Sequence, residues 1–268
     1  MLHYDFKRFL PGETNPSKLD RLIDIHLSKS INIQKSNDTT NKDNCFFVGG
    51  PISSLDVLHR LEKDNASYIN IDKGYFKNRK SNSHWRLTFN NLQQTKIFDV
   101  PNDRLKHFNI ELKPWQTNGE YILILAPNPL PLLYYTGSSD VLAWCMDIKN
   151  KLLEYTDRKV FIRFKESRKI RGHDPLTKYL NNCYAIVTLQ SIGCIETIIN
   201  GIPTLNLAPS CLDCLYQSKI ELIEKLPKPD NRYEWLKTLS YSQFTIEEIE
   251  NGTALEIFSK LIGNNIRT

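Results

Sequence analysis

No stretch of the 268-residue sequence approaches the ~20 consecutive apolar residues that a bilayer-spanning helix needs. The first ten residues include Asp5, Lys7 and Arg8 and no apolar core, so no export signal is expected. Cysteine is sparse: six residues, at positions 45, 145, 183, 194, 211 and 214, too scattered for a disulfide framework. The expected compartment is therefore the reducing cytoplasm, that of a host if the chain is phage-encoded. Cys211-Leu-Asp-Cys214 has no second Cys or His pair at zinc spacing, and no Asp-x-Asp occurs, so neither a metal nor a cofactor is expected. No internal repeat has a solenoid period. With 40% hydrophobic and 24% charged residues, collagen-like, disordered and membrane-embedded classes are excluded, and the length suits one large domain or two small ones.

What is present is a formal charge of +5 that is unevenly placed. Residues 73–86 hold Lys73, Lys77, Arg79, Lys80 and Arg86 with no acid. Residues 158–171 hold seven basic residues against Glu166 alone, so the remaining chain is net acidic. Two local basic patches on a nearly neutral body imply anionic partners at particular places, although solvated faces would show the same pattern.

Hydrophobic patterning reads as strands alternating with helices. Leu19, Leu22, Ile23 and Ile25 suggest a helix over 16–28, followed by a polar loop over 35–44. Cys45–Val48 is a short strand ending in Gly49-Gly50-Pro51. Ser53 or Ser54 is placed to cap a helix carrying Leu55, Leu58 and Leu61, and Ser67–Ile71 is the next strand, ending in Asp72-Lys73-Gly74. That succession is a βαβ unit. A second series has strands at 121–125, 159–163, 184–188 and 204–207. Helices are expected at 139–154, 176–180 and 192–200, the last stopped by Gly201 and Pro203. Residues 233–261 read as helical, with Thr245 and Glu248 as a capping box. The expected fold class is α/β: two small Rossmann-like domains with a cleft between them and a helical C-terminus. The expected boundaries are 1–118, 119–225 and 226–268.

In open parallel sheets ligands bind beyond the carboxyl ends of the strands. Those ends carry Gly49 and Gly50, Asp72-Lys73-Gly74, Ala126-Pro127, Arg163 with Lys165, Gln190-Ser191 and Ala208-Pro209. Gly49 and Gly50 allow close backbone approach. Ser191 and Gly193 fall in a strand-to-helix turn whose free N–H groups and dipole favour a phosphate, and Glu196 in the first helical turn suits a diol. A plainly capped helix, with Ser191 as cap, would show the same residues. Asp72 is the first candidate general base and His84 the second, though a turn carboxylate or a structural histidine accounts for either.

The order strand, Ser-x-Gly turn, helical glutamate and Gly-x-Pro over residues 119–210 resembles the donor-domain signature of GT-B glycosyltransferases. Ile71-Asp-Lys-Gly-Tyr-Phe76, His84-Trp-Arg86 and Asn90-x-x-Gln93 are similar to compact phage and bacterial glycosyltransferase-like proteins. So are Pro227-x-Pro229-Asp-x-Arg232, Trp235 and Leu239–Thr245. The resemblance implies that Arg163, Lys165, Ser191, Ile192 and Gly193 hold a donor diphosphate and that Glu196 binds the donor ribose. It also implies that the last helices cross back onto the first domain. Thr188 and Thr204 occupy the two positions that could complete a Glu-x7-Glu pair, so retaining enzymes with that motif are the less close relatives.

The expectation is a metal-independent hexosyl- or pentosyltransferase with a nucleotide-sugar as substrate and donor. Gly49 and Gly50 are on the donor side; Lys73, Tyr75, Lys77, Arg79 and Arg86 are on the acceptor side. A modified pyrimidine in phage DNA and a surface polysaccharide are the alternative acceptors. A sugar-nucleotide epimerase or hydrolase, and a non-catalytic nucleotide- or nucleic-acid-binding module, are the rival readings.

Overall fold

The computed structural model describes residues 5–9, 25–76, 84–164 and 175–265. In chain order the elements are β1 (Asp5–Phe9), β2 (Gln34–Ser36), β3 (Asn44–Val48), α1 (Gly50–Lys63), β4 (Ser67–Lys73), β5 (His84–Phe89) and the one-turn α2 (Asp103–Lys106). Then follow β6 (Tyr121–Leu125), α3 (Pro129–Thr136), α4 (Val141–Leu153), β7 (Lys159–Arg163), β8 (Cys183–Thr188), α5 (Gly193–Ile199) and β9 (Thr204–Asn206). The chain ends with α6 (Arg232–Tyr241), β10 (Gln243–Thr245), α7 (Ile246–Glu250) and α8 (Thr253–Asn265). The chain divides into two compact units: unit 1 is Met1–Phe108 with Leu236–Thr268, and unit 2 is Asn109–Trp235. The fold class is mixed α/β, with one sheet in each unit.

Unit 1 has a six-stranded sheet in the order β10-β5-β4-β3-β1-β2. The pairs β2–β1, β1–β3 and β3–β4 are parallel; β4–β5 and β5–β10 are antiparallel. Strand alternation sorts its residues to two faces. Cys45, Phe47, Ile69, Ile71, Leu87 and Phe244 meet Ile249, Ala254, Leu255, Phe258 and Ile262 of α7 and α8 in one core. The α8 residues recur at helical spacing, which is why this segment packs by a single stripe. The opposite face of β4, β5 and β10 presents Asn70, Asp72, His84, Arg86, Thr88 and Gln243, most of them buried.

Unit 2 has a four-stranded, wholly parallel sheet in the order β7-β6-β8-β9. Its central strands are continuous apolar runs because both faces are covered. Ile122, Ile124, Ala185, Val187 and Leu205 pack against Cys145, Ile148 and Leu152 of α4. Leu123, Leu125 and Ile186 pack on the other side against Leu176, Leu180 and Ile202. Gly201 closes α5 in the left-handed region, at φ +77°, and a Cβ there would run into the Pro114 carbonyl oxygen, so glycine is required twice over. Cys194 Sγ and Cys211 Sγ lie 3.7 Å apart in this interior, while Cys45 and Cys183 are buried in the cores of units 1 and 2.

Several local expectations change. α1 starts at Gly50, so Ser53 and Ser54 fall inside the helix; Pro51, pre-set for a first turn, moves the start forward. β4 runs on to Lys73, which places Asp72 within a strand and not in a turn. The C-terminal segment is helical except for β10, which adds to the edge of the unit 1 sheet. Most of the helix expected over 16–28 lies outside the described residues; the described part includes a 3₁₀ turn at Leu27–Lys29. The capping box of Thr245 and Glu248 is present, with both reciprocal bonds made.

Candidate functional site

In unit 1, the candidate residues converge on β4 and β5. Asp72 and Arg86 are directly opposite in register, and Arg86 Nη2 donates to Asp72 Oδ2 at 2.5 Å. Arg86 is almost wholly buried; it also donates from Nε to the Leu92 carbonyl (3.2 Å) and from Nη1 to the Lys73 carbonyl (2.9 Å). Its guanidinium lies 5.4 Å from the centre of the Tyr75 ring, and the Tyr75 hydroxyl accepts from the Gln94 backbone N–H at 2.7 Å. Asp72 Oδ1 accepts the Lys73 N–H, the carboxylate stays partly open to solvent, and Lys73 is exposed. Arg86 therefore locks the end of β4, the turn after it and the 90–94 loop into one body.

His84 sits beside this group. The Gly74 N–H donates to the His84 carbonyl at 2.7 Å, and a Cβ on Gly74 would strike both His84 and the Gln243 side-chain oxygen. The imidazole stands edge-on to Phe108 with 5.2 Å between centroids. Burial pushes its pKa below the ordinary histidine value; Glu248 opposes that shift and Arg104 adds to it. Among the described residues its Nδ1 is buried without a hydrogen-bond partner, as is Nε2 of Gln243, whose Oε1 accepts the Phe76 N–H at 2.9 Å. Gln243 was given no role from the sequence beyond its place in the Leu239–Thr245 pattern, since an amide in a helical-looking tail carries no signal of its own. Lys77 and Arg79 lie outside the described residues.

In unit 2, parallel order brings another set together. Leu125 of β6 is in register with Arg163 on one side and Thr188 on the other, so Arg163 and the turn after β8 share the carboxyl edge of one sheet. α4 covers one face and α5 begins on the other, where Gly193 abuts Leu125 and Leu176. The gap between the ends of β6 and β8 is thus the switch point at which open α/β sheets hold ligands. Ser191 Oγ accepts the Gly193 N–H at 3.1 Å, giving the turn a serine cap one residue ahead of the helix-capping Ile192. The Arg163 guanidinium lies 5.2 Å from the centre of the Tyr179 ring, and Glu196 is exposed in the first turn of α5. Gln190, at the strand end with Ser191 but given no role from the sequence, spans the turn: its amide donates to the Tyr135 hydroxyl (2.7 Å) and the Pro209 carbonyl (3.2 Å). Lys165 lies outside the described residues. Gly49 follows β3, which neighbours β1 at the corresponding position of the unit 1 sheet, and Gly50 opens α1.

The C-terminal pattern has a packing explanation. Arg232 stacks 4.1 Å over the Trp115 ring and donates to the Lys113 and Ile198 carbonyls, Trp115 Nε1 donates to the Pro229 carbonyl, and Trp235 Nε1 donates to the Cys211 carbonyl at 2.7 Å. Among the described residues no group of three or more His, Cys, Asp or Glu could hold a metal ion, and no helix is long and apolar enough to cross a membrane.

No protein-family profile and no curated protein matches the chain. Among solved structures, one described as Thermosulfurimonas dismutans KpsC, beta Kdo 2,4 transferase, is similar at 11% identity. The match covers 89% of this chain and 98% of that chain, with a TM-score of 0.39.

Proposed function

We propose that the chain is a glycosyltransferase of GT-B-like organisation, moving a sugar from a nucleotide-sugar donor to an acceptor hydroxyl. The observation that carries this reading is the switch point of unit 2, where Arg163 and the Ser191–Gly193 turn share one sheet edge. In this reading Arg163 and Lys165, with the N–H groups of Ser191, Ile192 and Gly193, hold the donor diphosphate, and Glu196 binds its ribose. As the bond from the anomeric carbon to the diphosphate breaks, negative charge grows on the leaving phosphate, and fixed cations and N–H dipoles stabilise it. Unit 1 supplies the acceptor side. The Asp72 carboxylate, aimed by Arg86, takes the proton of the acceptor hydroxyl as its oxygen bonds the anomeric carbon, and His84 is the alternative base. Lys73 and Tyr75 stand beside that base, and Lys77 and Arg79 follow them in sequence, so the acceptor is anionic: a modified pyrimidine in DNA or a charged surface polysaccharide. DNA binding would weaken steeply with salt, and absence of DNA affinity at low salt excludes that acceptor.

The test is a thermal-shift screen against a panel of sugar nucleotides, followed by titration of Arg163→Ala and Glu196→Ala. A ligand bound only by the native state raises the melting temperature. Both substitutions are expected to weaken nucleotide-sugar binding about tenfold or more, the loss of a charge-assisted contact; unchanged affinity in both rejects the reading. Turnover of donor without any acceptor would instead indicate an epimerase or hydrolase.

A further inference from the structure

Unit 2 holds a second concavity at the opposite side of the sheet from Arg163. Among the described residues β9 is an edge strand, paired only with β8, and the Tyr216 hydroxyl takes up both peptide groups of Thr204 (3.0 Å from N, 2.8 Å to O). Beyond that seal, Asn206, the loop after it and the residues around Asp213 and Ser218 line an open cavity of about 470 Å³, within the usual range of small-molecule sites. Its polar lining includes the flat amide and carboxylate groups of Asn206, Asp213, Gln217 and Glu221, with Thr204, Ser218 and Lys219 beside them. Pro209, Leu212 and Tyr216 supply apolar wall. Asn206 Oδ1 and Ser218 Oγ are buried behind this lining without partners among the described residues, which costs stability.

We infer that this cavity binds a neutral saccharide unit. Adjacent ring hydroxyls each donate and accept, so flat two-atom groups such as carboxylates and amides engage them in pairs, while the C–H faces of the ring need apolar wall. Charge decides against phosphorylated ligands: two carboxylates, Asp213 and Glu221, face one ammonium, Lys219, so a diphosphate would be repelled. The site shares no residue with the donor-binding set, and its assignment does not rest on the glycosyltransferase reading.

The experiment is saturation-transfer NMR on the full chain with glucose, galactose, N-acetylglucosamine and maltose, followed by titration of the best binder. Saturable binding is expected, weakened about tenfold in Asn206→Ala and in Gln217→Ala. Gln217 is exposed, so its variant keeps the fold even if Asn206→Ala does not. Arg163→Ala and added uridine diphosphate are expected to leave the sugar affinity unchanged. Binding of none of the four sugars overturns the inference, as does undiminished binding in Gln217→Ala. Displacement by uridine diphosphate, or loss in Arg163→Ala, would place the sugar in the donor site and overturn the cavity assignment while supporting the transferase reading. Sugar binding without any nucleotide-sugar binding would do the reverse.

Discussion

The two sheets share a winding order and differ in how they fill it. Numbered from the first strand of each unit, the parallel strands run 2-1-3-4 in both: β2-β1-β3-β4 and β7-β6-β8-β9. Among the described residues unit 2 stops there, with apolar side chains on both faces of its central strands. Unit 1 continues with antiparallel β5 and β10, and buries a row of polar side chains on the face that carries Asp72, Arg86 and Gln243. An apolar face is stabilised in proportion to its area, and each residue contributes separately. A buried polar row is stabilised only when its members find partners, so removing one strands the others. Where a chain keeps such a row despite that cost, the row is a place to look for chemistry.

The sharpest way to break this comparison is Arg86→Ala. It leaves the Asp72 carboxylate without its partner and the Leu92 and Lys73 carbonyls without donors, so denaturant unfolding should show a loss of about 3 kcal/mol. A loss below about 1 kcal/mol would mean that the row relaxes as freely as a surface. The matching change in unit 2 is Ile186→Val, which removes one buried methylene and should cost about 1 kcal/mol by the same measurement. The smallest expected effect is one of pH. The His84 imidazole binds its proton less readily folded than unfolded, because burial disfavours the charged form. The unfolded chain therefore takes up more protons as pH falls through about 6.5, and stability is lost in that direction. Unfolding of His84→Gln at pH 7.5 and pH 5.5 should show a smaller decline than the parent; an equal decline would put the titration elsewhere.

Much of unit 2 was legible because its strands are short apolar runs between turn residues. Tyr121–Leu125, Lys159–Arg163 and the Gly201 stop all lie where the pattern puts them. β5 and β10 were not legible. His84, Arg86 and Thr88, and Gln243 on β10, alternate with Trp85, Leu87 and Phe244, which reads as a solvated edge or a helical tail. Only tertiary pairing buries both faces. The same holds for the site. Arg163 and Ser191–Gly193 could be placed at strand ends because parallel winding fixes where strand ends go. The engagement of Asp72 by Arg86 depends on an antiparallel register that nothing local encodes. The β9 cavity escaped notice for a similar reason: its polar residues are spread over a loop with no periodicity to mark it.

The free thiols of the interior give each unit its own clock. Cys45 lies in the unit 1 core, Cys183 in that of unit 2, and burial lifts both thiols, Cys183 to about 12 and Cys45 further still. Neither is a thiolate at neutral pH, and neither is reachable by a reagent while its unit is closed. Alkylation at each position therefore waits on opening, and its rate reads the opening free energy of that unit alone. A ligand that slows labelling of Cys183 but not Cys45 declares which half of the chain it holds, with no probe attached and no activity assay required.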